Sequence, residues 1–186
     1  MNFSDYAPLA MRTLKPLPLR EEQIEHALIG MCGEVGELAD DVKRAFIYDQ
    51  EFDATNAAVE IGDFCWYFVL WCRENYIDMR LLDEALTAKI TPTEAHEDKS
   101  LLRTVLALYS VSGAAVIAED KRGATNAQLV PHIVNLLMIC AMECDTTLED
   151  CLDTNIAKLA LRYGDTYSDY KAVNRDVAAE RKVAEQ

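Results

Sequence analysis

Glu34 and Glu37, in the run Gly33-Glu34-Val35-Gly36-Glu37-Leu38, and Glu60 and Asp63, in Val59-Glu60-Ile61-Gly62-Asp63-Phe64, are the residues best placed to do chemistry. Within each pair the spacing is i,i+3, so on a helix both carboxylates share one face. Two such helices packed antiparallel aim four carboxylates at one point, where the charges repel unless something neutralises them. A divalent cation with oxygen ligands does so, and Mg²⁺, which keeps several of its waters, suits carboxylates. The quartet therefore reads as a magnesium site, with Mn²⁺ as a substitute ion, for a phosphate-bearing substrate. A single E-x-x-E on a helix is ordinarily a solvated face. Two of them, each beside a packing seam and each with glycine neighbours, are rarer.

The elements that must carry these acids follow from the apolar periodicity. A first helix is expected near 3–14, before Pro16 and Pro18 break the chain. A long helix over 20–48 has the seam Ile24, Leu28, Met31, Val35, Leu38 and Val42, with Gly30, Glu34, Glu37 and Asp41 in the row beside it. A helix over 54–76 has the seam Ala57, Ile61, Phe64, Phe68 and Trp71, flanked by Glu60, Asp63, Tyr67 and Leu70. Further helices are expected over 79–90, 101–121, 125–143 and 147–163, with a linker over 91–100. The tail 164–186 is expected to be irregular, with a final helix from Ala172. The fold class is all-α, in a single domain over 1–186.

Composition agrees with this. A chain of 186 residues, 51% hydrophobic and 27% charged, has a globular balance. Its 7 Gly and 5 Pro favour helices over a fold with many turns. The net charge of −14 repels nucleic-acid backbones, so no nucleic-acid partner is expected. A polyanionic small substrate can still bind where metal ions bridge it to the acids. Charges interrupt the apolar stretches, so no membrane span is expected, and the first residues lack the pattern of a secretory signal. None of the six cysteines forms a C-x-x-C pair, which suits buried core thiols in a reducing cytoplasm better than a zinc site.

The chain also repeats itself. Lys43-Arg44, Ala54-Thr55-Asn56-Ala57 and Asp78…Leu81…Asp83 find counterparts in Lys121-Arg122, Ala124-Thr125-Asn126-Ala127 and Asp145…Leu148…Asp150. Repeat 1 spans about 20–90 and repeat 2 about 101–163. In this alignment Glu34 and Glu37 fall on Ser112 and Ala115, and Glu60 and Asp63 fall near 130–135, where there is no acid. The second copy thus lacks the quartet.

Taken together, His26…Gly30…Gly33-Glu34-x-Gly36-Glu37-Leu38-Ala39-Asp40, then Lys43, then Glu60-x-Gly62-Asp63-x-x-Trp66-Tyr67, resembles the MazG-type all-α nucleoside triphosphate pyrophosphohydrolases. The resemblance extends to Asn155-Ile156-Ala157-Lys158-Leu159…Arg162-Tyr163, to Ser168 and to Asn174-Arg175-Asp176 near the end of the chain, and to Phe3…Tyr6…Arg12-Thr13 at its start. It implies a MazG-type helical bundle, related to the dimeric all-α dUTPases and dCTPases, and hydrolysis of (d)NTPs to a nucleoside monophosphate and pyrophosphate. It further implies Glu34, Glu37, Glu60 and Asp63 as metal and catalytic residues. Asn155 and Lys158 would contact phosphate or sugar, Arg162 would offset developing charge, Lys43 is a further phosphate candidate, and Trp66 or Tyr67 would border a base pocket. The repeat then suggests a tandem pseudo-dimer with one composite site. The first copy keeps the acids but has Ala88 and Thr91 where the second has Asn155 and Lys158. A homodimer remains an option for the whole chain. The chain departs from the family at Arg162-Tyr163-Gly164, where many members have Arg-Tyr-Pro.

Two other classes compete. A ferritin-like di-iron bundle needs Glu-x-x-His pairs, and His26, His96 and His132 supply none. His26 and His132 read as satisfied structural residues and His96 as a linker residue. A non-hydrolytic nucleotide-binding or helical interaction protein would suit the apolar seams and the acidic surface.

Overall fold

Apolar residues at alternating steps of four and three give α2 (Arg20–Tyr48) one continuous buried face. Ile24, Leu28, Met31, Val35, Leu38 and Val42 are all buried on it. After the short loop 49–53 the chain turns back as α3 (Ala54–Glu74), whose first turn is capped by Asp53 accepting from Asn56 N at 2.9 Å. The α3 seam Ala57, Ile61, Phe64, Phe68 and Trp71 is buried, and so are Cys65, Val69, Leu70 and Cys72 around it. A helix buried on most of its circumference belongs at the centre of a bundle.

The computed structural model describes residues 1–88, 100–120 and 126–185. Every regular element among them is helical. α1 (Phe3–Ala10) is followed by a 3-10 turn, Met11–Thr13, where a helix to 14 was expected. The turn tightens there because the Trp66 indole N–H donates to Ala10 O at 3.1 Å and to Thr13 Oγ1 at 3.0 Å. Helix α4 is Met79–Thr87, shorter than expected because Ala88 is already extended. The rest of the expected helix end, the linker and His96 lie outside the described residues. α5 (Ser100–Asp120), α6 (Asn126–Glu143) and α7 (Leu148–Tyr163) follow. Lys121-Arg122 and Ala124-Thr125 of the repeat also lie outside the described residues. The tail is more ordered than its composition suggested: α8 (Asp169–Val173) and α9 (Val177–Ala184) replace the irregular stretch and the single late helix.

α3 packs on α2 and on α7, α5 packs on α2 and α6, and α4 packs on α6. α1 touches α3, α4 and α7, and α9 lies on α7 and α3. α5 corrects one expectation. Its stretch Ser100–Glu119 is long and apolar enough to cross a membrane by length and composition, because Arg103 and Glu119 leave a long uncharged run between them. Here Leu101, Val105, Leu108, Val111 and Ala115 of α5 are buried in the bundle.

The turns after α3 and after α6 match in backbone detail. Tyr76 and Asp145 both take a left-handed φ of 56°. Ile77 N donates to Cys72 O at 2.9 Å, and Thr146 N donates to Ala141 O at 3.1 Å, at equivalent places. The following caps are Asp78 for α4 and Thr147 for α7. This shifts the expected alignment, in which Asp78 met Asp145. In the structural register Asn155 matches Leu86 rather than Ala88. Lys158 matches Lys89, outside the described residues, rather than Thr91.

Candidate metal centre

Glu34 and Glu37 of α2 and Glu60 of α3 converge: one carboxylate oxygen from each lies within 4.8 Å of the others. Glu60 is buried, Glu34 is half-buried and Glu37 is exposed, so the trio opens outward on one side. Asn56, one turn before Glu60, donates from Nδ2 to Glu60 Oε1 at 3.2 Å and to Asp41 Oδ2 at 2.7 Å, which fixes the Glu60 carboxylate against α2. Burial, then the carboxylates of Asp63, Glu60 and Glu37, push Glu34 up to about 9. Burial, then Asp63 and Glu37, push Glu60 up to about 7. With no cation, these acids hold protons near neutral pH that other carboxylates give up. An all-oxygen donor set that resists ionisation without a counter-charge fits a hard divalent cation such as Mg²⁺ or Mn²⁺.

Asp63 is placed differently from its three companions. Asn155 Nδ2 donates to Asp63 Oδ1 at 2.6 Å, and Lys158 Nζ pairs with Asp63 Oδ2. Tyr6 O–H donates to Asn155 Oδ1 at 2.7 Å, which turns the amide nitrogen toward the acid. Asn155 and Lys158 are both about 2% exposed. The expected fourth metal ligand is therefore held by a buried cation and an amide from α7, beside the trio. The contact depends on Gly62: a Cβ there would stand 2.8 Å from Cys151 O and 3.1 Å from Asn155 Cβ. A side chain at this position would hold α7 away from Asp63.

Two cavities meet at the acids. One, of about 360 Å³, is walled by Glu34, Glu37, Glu60, Asp63 and Lys158, together with Asn56, Arg175, Glu180 and Arg181. The other, of about 320 Å³, shares Glu34, Asp63 and Arg175 and is lined by His26, Trp66, Tyr67, Tyr163 and Tyr167. Tyr67 lies over Gly30, where a Cβ would come within 2.1 Å of the ring, so glycine is what lets the phenol occupy that wall. Trp66 borders the same cavity, but its N–H is engaged by the 3-10 turn.

The remaining expected site residues divide. Arg162 lines the aromatic cavity and is held by Glu180. Lys43 lines neither cavity: it pairs with Asp40 on the exposed side of α2, because three residues along a helix bring their side chains together. His26 is not a satisfied core residue. Its ring meets Trp66 at 5.8 Å and Tyr67 at 5.5 Å, its Nδ1 is buried without a partner, and burial lowers its pKa. His132 is exposed. Sequence reasoning passed over Tyr6 and Asn56 as site residues, and over Glu180 altogether; Tyr163 with Tyr167, one helical turn apart in number, was the readable hint of an aromatic wall. The chain matches no family model, no curated protein and no solved structure.

Proposed function

We propose that the chain is a Mg²⁺-dependent pyrophosphohydrolase that converts (d)NTPs to nucleoside monophosphates and pyrophosphate, in the manner of the MazG-type enzymes it resembles. The observation that carries this reading is the convergence of Glu34, Glu37 and Glu60 between an acidic cavity and an aromatic one. The aromatic cavity suits a nucleobase and the acidic one a metal-bound phosphate chain. Bound by Glu34, Glu37 and Glu60, Mg²⁺ supplies Lewis-acid polarisation of a phosphoryl oxygen and a more acidic water. Lys158 and Asn155 hold Asp63 in one orientation and place a buried positive charge beside the acids, where charge builds up in phosphoryl transfer. Tyr67 and His26 wall the neighbouring cavity.

The site draws on both halves of the chain, since α2 and α3 supply the acids and α7 supplies Asn155 and Lys158. Together with the matched turns this supports a tandem pseudo-dimer in which repeat 2, with Ser112 and Ala115 in place of acids, completes the site of repeat 1. Six unpaired cysteines are in keeping with a cytoplasmic setting. A homodimer of the whole chain is compatible with the same site.

One observation favours a second reading. Asp63 is engaged by Lys158 rather than grouped with the trio, as suits a protein that binds nucleotide without cleaving it. Pyrophosphate release from a panel of dNTPs and NTPs, with and without Mg²⁺, separates the two. Release that Glu37→Gln or Asp63→Asn abolishes is the expected result. Mg²⁺-dependent nucleotide binding with no release from any member of the panel selects the binding protein.

A further inference from the structure

Two arginines near the end of the chain converge on one carboxylate. Arg162 donates through Nε and Nη2 to Glu180 Oε1 and Oε2 at 2.8 and 2.6 Å, a two-pronged pair, and Arg175 Nη2 donates to Oε2 at 2.8 Å. Both arginines line the aromatic cavity, and Arg175 also lines the acidic cavity, whose wall includes Glu180 itself. A guanidinium fork that receives a carboxylate in this geometry receives a phosphate equally well.

The helix that brings Glu180 here has few fastenings, and none of them is a buried apolar side chain. Glu180 is the one buried residue of α9, at 4% exposure. The other tie is Arg181, whose guanidinium meets Asp53 at 2.8 and 3.0 Å on the surface. The Arg181–Asp53 pair is exposed and contributes little, whereas the Glu180–Arg162 pair is buried, so α9 detaches only where an incoming anion replaces Glu180 on the arginines. The location of Glu180 also matters. It is a carboxylate set beside Glu34, Glu37, Glu60 and Asp63, where like charges oppose it unless the arginines hold it.

We propose that Arg162 and Arg175 form a phosphate-binding subsite that Glu180 fills in the absence of ligand, so that α9 is a cover displaced by the far phosphates of a polyphosphate. The inference rests on the reading of the acid trio as a metal–phosphate site. A phosphate group carries more charge than Glu180 and takes both arginines from it. Once released, Glu180 faces the negative charge of the ligand, and α9 moves off the acidic cavity. Ligand binding and detachment of α9 are then coupled, and weakening either fastening strengthens binding.

The test is calorimetric titration of the full-length protein with inorganic tripolyphosphate in the presence of Mg²⁺, alongside hydrogen exchange of the α9 amides. Glu180→Gln removes the competing charge. Asp53→Asn, outside both cavities, breaks the Arg181 pair while an Asn still caps α3, so it loosens α9 without touching the subsite and serves where Glu180→Gln folds poorly. Both variants are expected to bind at least about fivefold tighter than the unaltered protein, Arg175→Ala about tenfold weaker, and tripolyphosphate is expected to speed exchange in α9. If the unaltered protein binds but both loosened variants bind no tighter, or if α9 stays protected on binding, the subsite is wrong and the metal–phosphate reading stands. If no form binds, both are overturned, and a parallel Mg²⁺ titration shows whether the acids still take the metal.

Discussion

Among individual residues, four carboxylates gathered at one place are held in unequal ways: Glu34, Glu37 and Glu60 converge, while Asp63 is taken by Asn155 and Lys158. Glu34 and Glu60 are raised to about 9 and about 7, mainly by burial, against an ordinary value of 4.5. A raised carboxylate binds its proton more tightly in the folded state, so it favours the fold at low pH and that contribution is lost as pH climbs from 4.5 through the raised values. The metal-free protein should lose stability between pH 5 and pH 9, as denaturant titrations across that range would show. Mg²⁺ bound at the trio would have to displace the same protons. Its affinity should rise over pH 6–9, with release of about one to two protons at neutral pH measurable in buffers of different ionisation enthalpy. An affinity flat with pH would mean that the trio is not the binding site. Lys158 makes a separate prediction. Lys158→Met should lower pyrophosphate release by at least about 100-fold, the scale of removing one preorganised positive group, while Mg²⁺ affinity is undiminished. Loss of Mg²⁺ binding would show that Lys158 shapes the trio instead. The acids were legible because i,i+3 spacing is a local property of one helix. Tyr6 on Asn155 and Glu180 on Arg162 were not, because each contact joins residues whose proximity is decided by how helices pack.

At the scale of elements, glycine decides how near two helices come. At Gly62 an alanine Cβ would press on the Cys151 carbonyl at 2.8 Å, a backbone atom that cannot rotate away. Alanine favours a helix by up to about 1 kcal/mol over glycine, but overpacking of this kind costs about 1–3 kcal/mol. Gly62→Ala should therefore be destabilising or near neutral in urea unfolding, while turnover falls more than stability does because Asn155 and Lys158 retreat from Asp63. Full activity in Gly62→Ala would show that α7 adjusts without cost to the site. The long helices were readable because their seams run for several turns, as in α2 and α3. Their ends were less so. α3 stops at Glu74 because Tyr76 turns left-handed, and the 3-10 turn after α1 exists because Trp66, far along the chain, binds it. α8 and α9 have no long apolar stripe, and polar contacts to α7 and α3 hold them.

Across the protein, a net charge of −14 with carboxylates gathered at one place should make divalent cations stabilisers of the fold. At a hundredfold excess over its Kd, a single bound Mg²⁺ adds about 2.7 kcal/mol, which for a chain of this size corresponds to roughly 5–10 °C in Tm. Calorimetric scans with Mg²⁺ and with EDTA should differ by that amount, and Glu37→Gln should remove the difference. A Tm indifferent to Mg²⁺ and Mn²⁺ would count against any metal site in the bundle. The all-helical class was legible from the dearth of glycine and proline and from the repeated seams. The packing of α7 on α3 was foreshadowed by the acids lying in the first copy and Asn155 and Lys158 in the second, and the matching turns after α3 and α6 place the two copies two residues away from the expected alignment.

The cysteines offer a different use of the same architecture. Cys65, Cys72, Cys140, Cys144 and Cys151 are buried, whereas Cys32 is half-exposed on α2, two positions before Glu34. Burial pushes its thiol up, so a maleimide or methanethiosulfonate reagent at alkaline pH should modify this one position in the folded protein. A nitroxide carried there would sit within paramagnetic range of Mn²⁺ at the trio, and the loss of its resonance intensity would turn metal occupancy into a spectroscopic distance without any engineered cysteine.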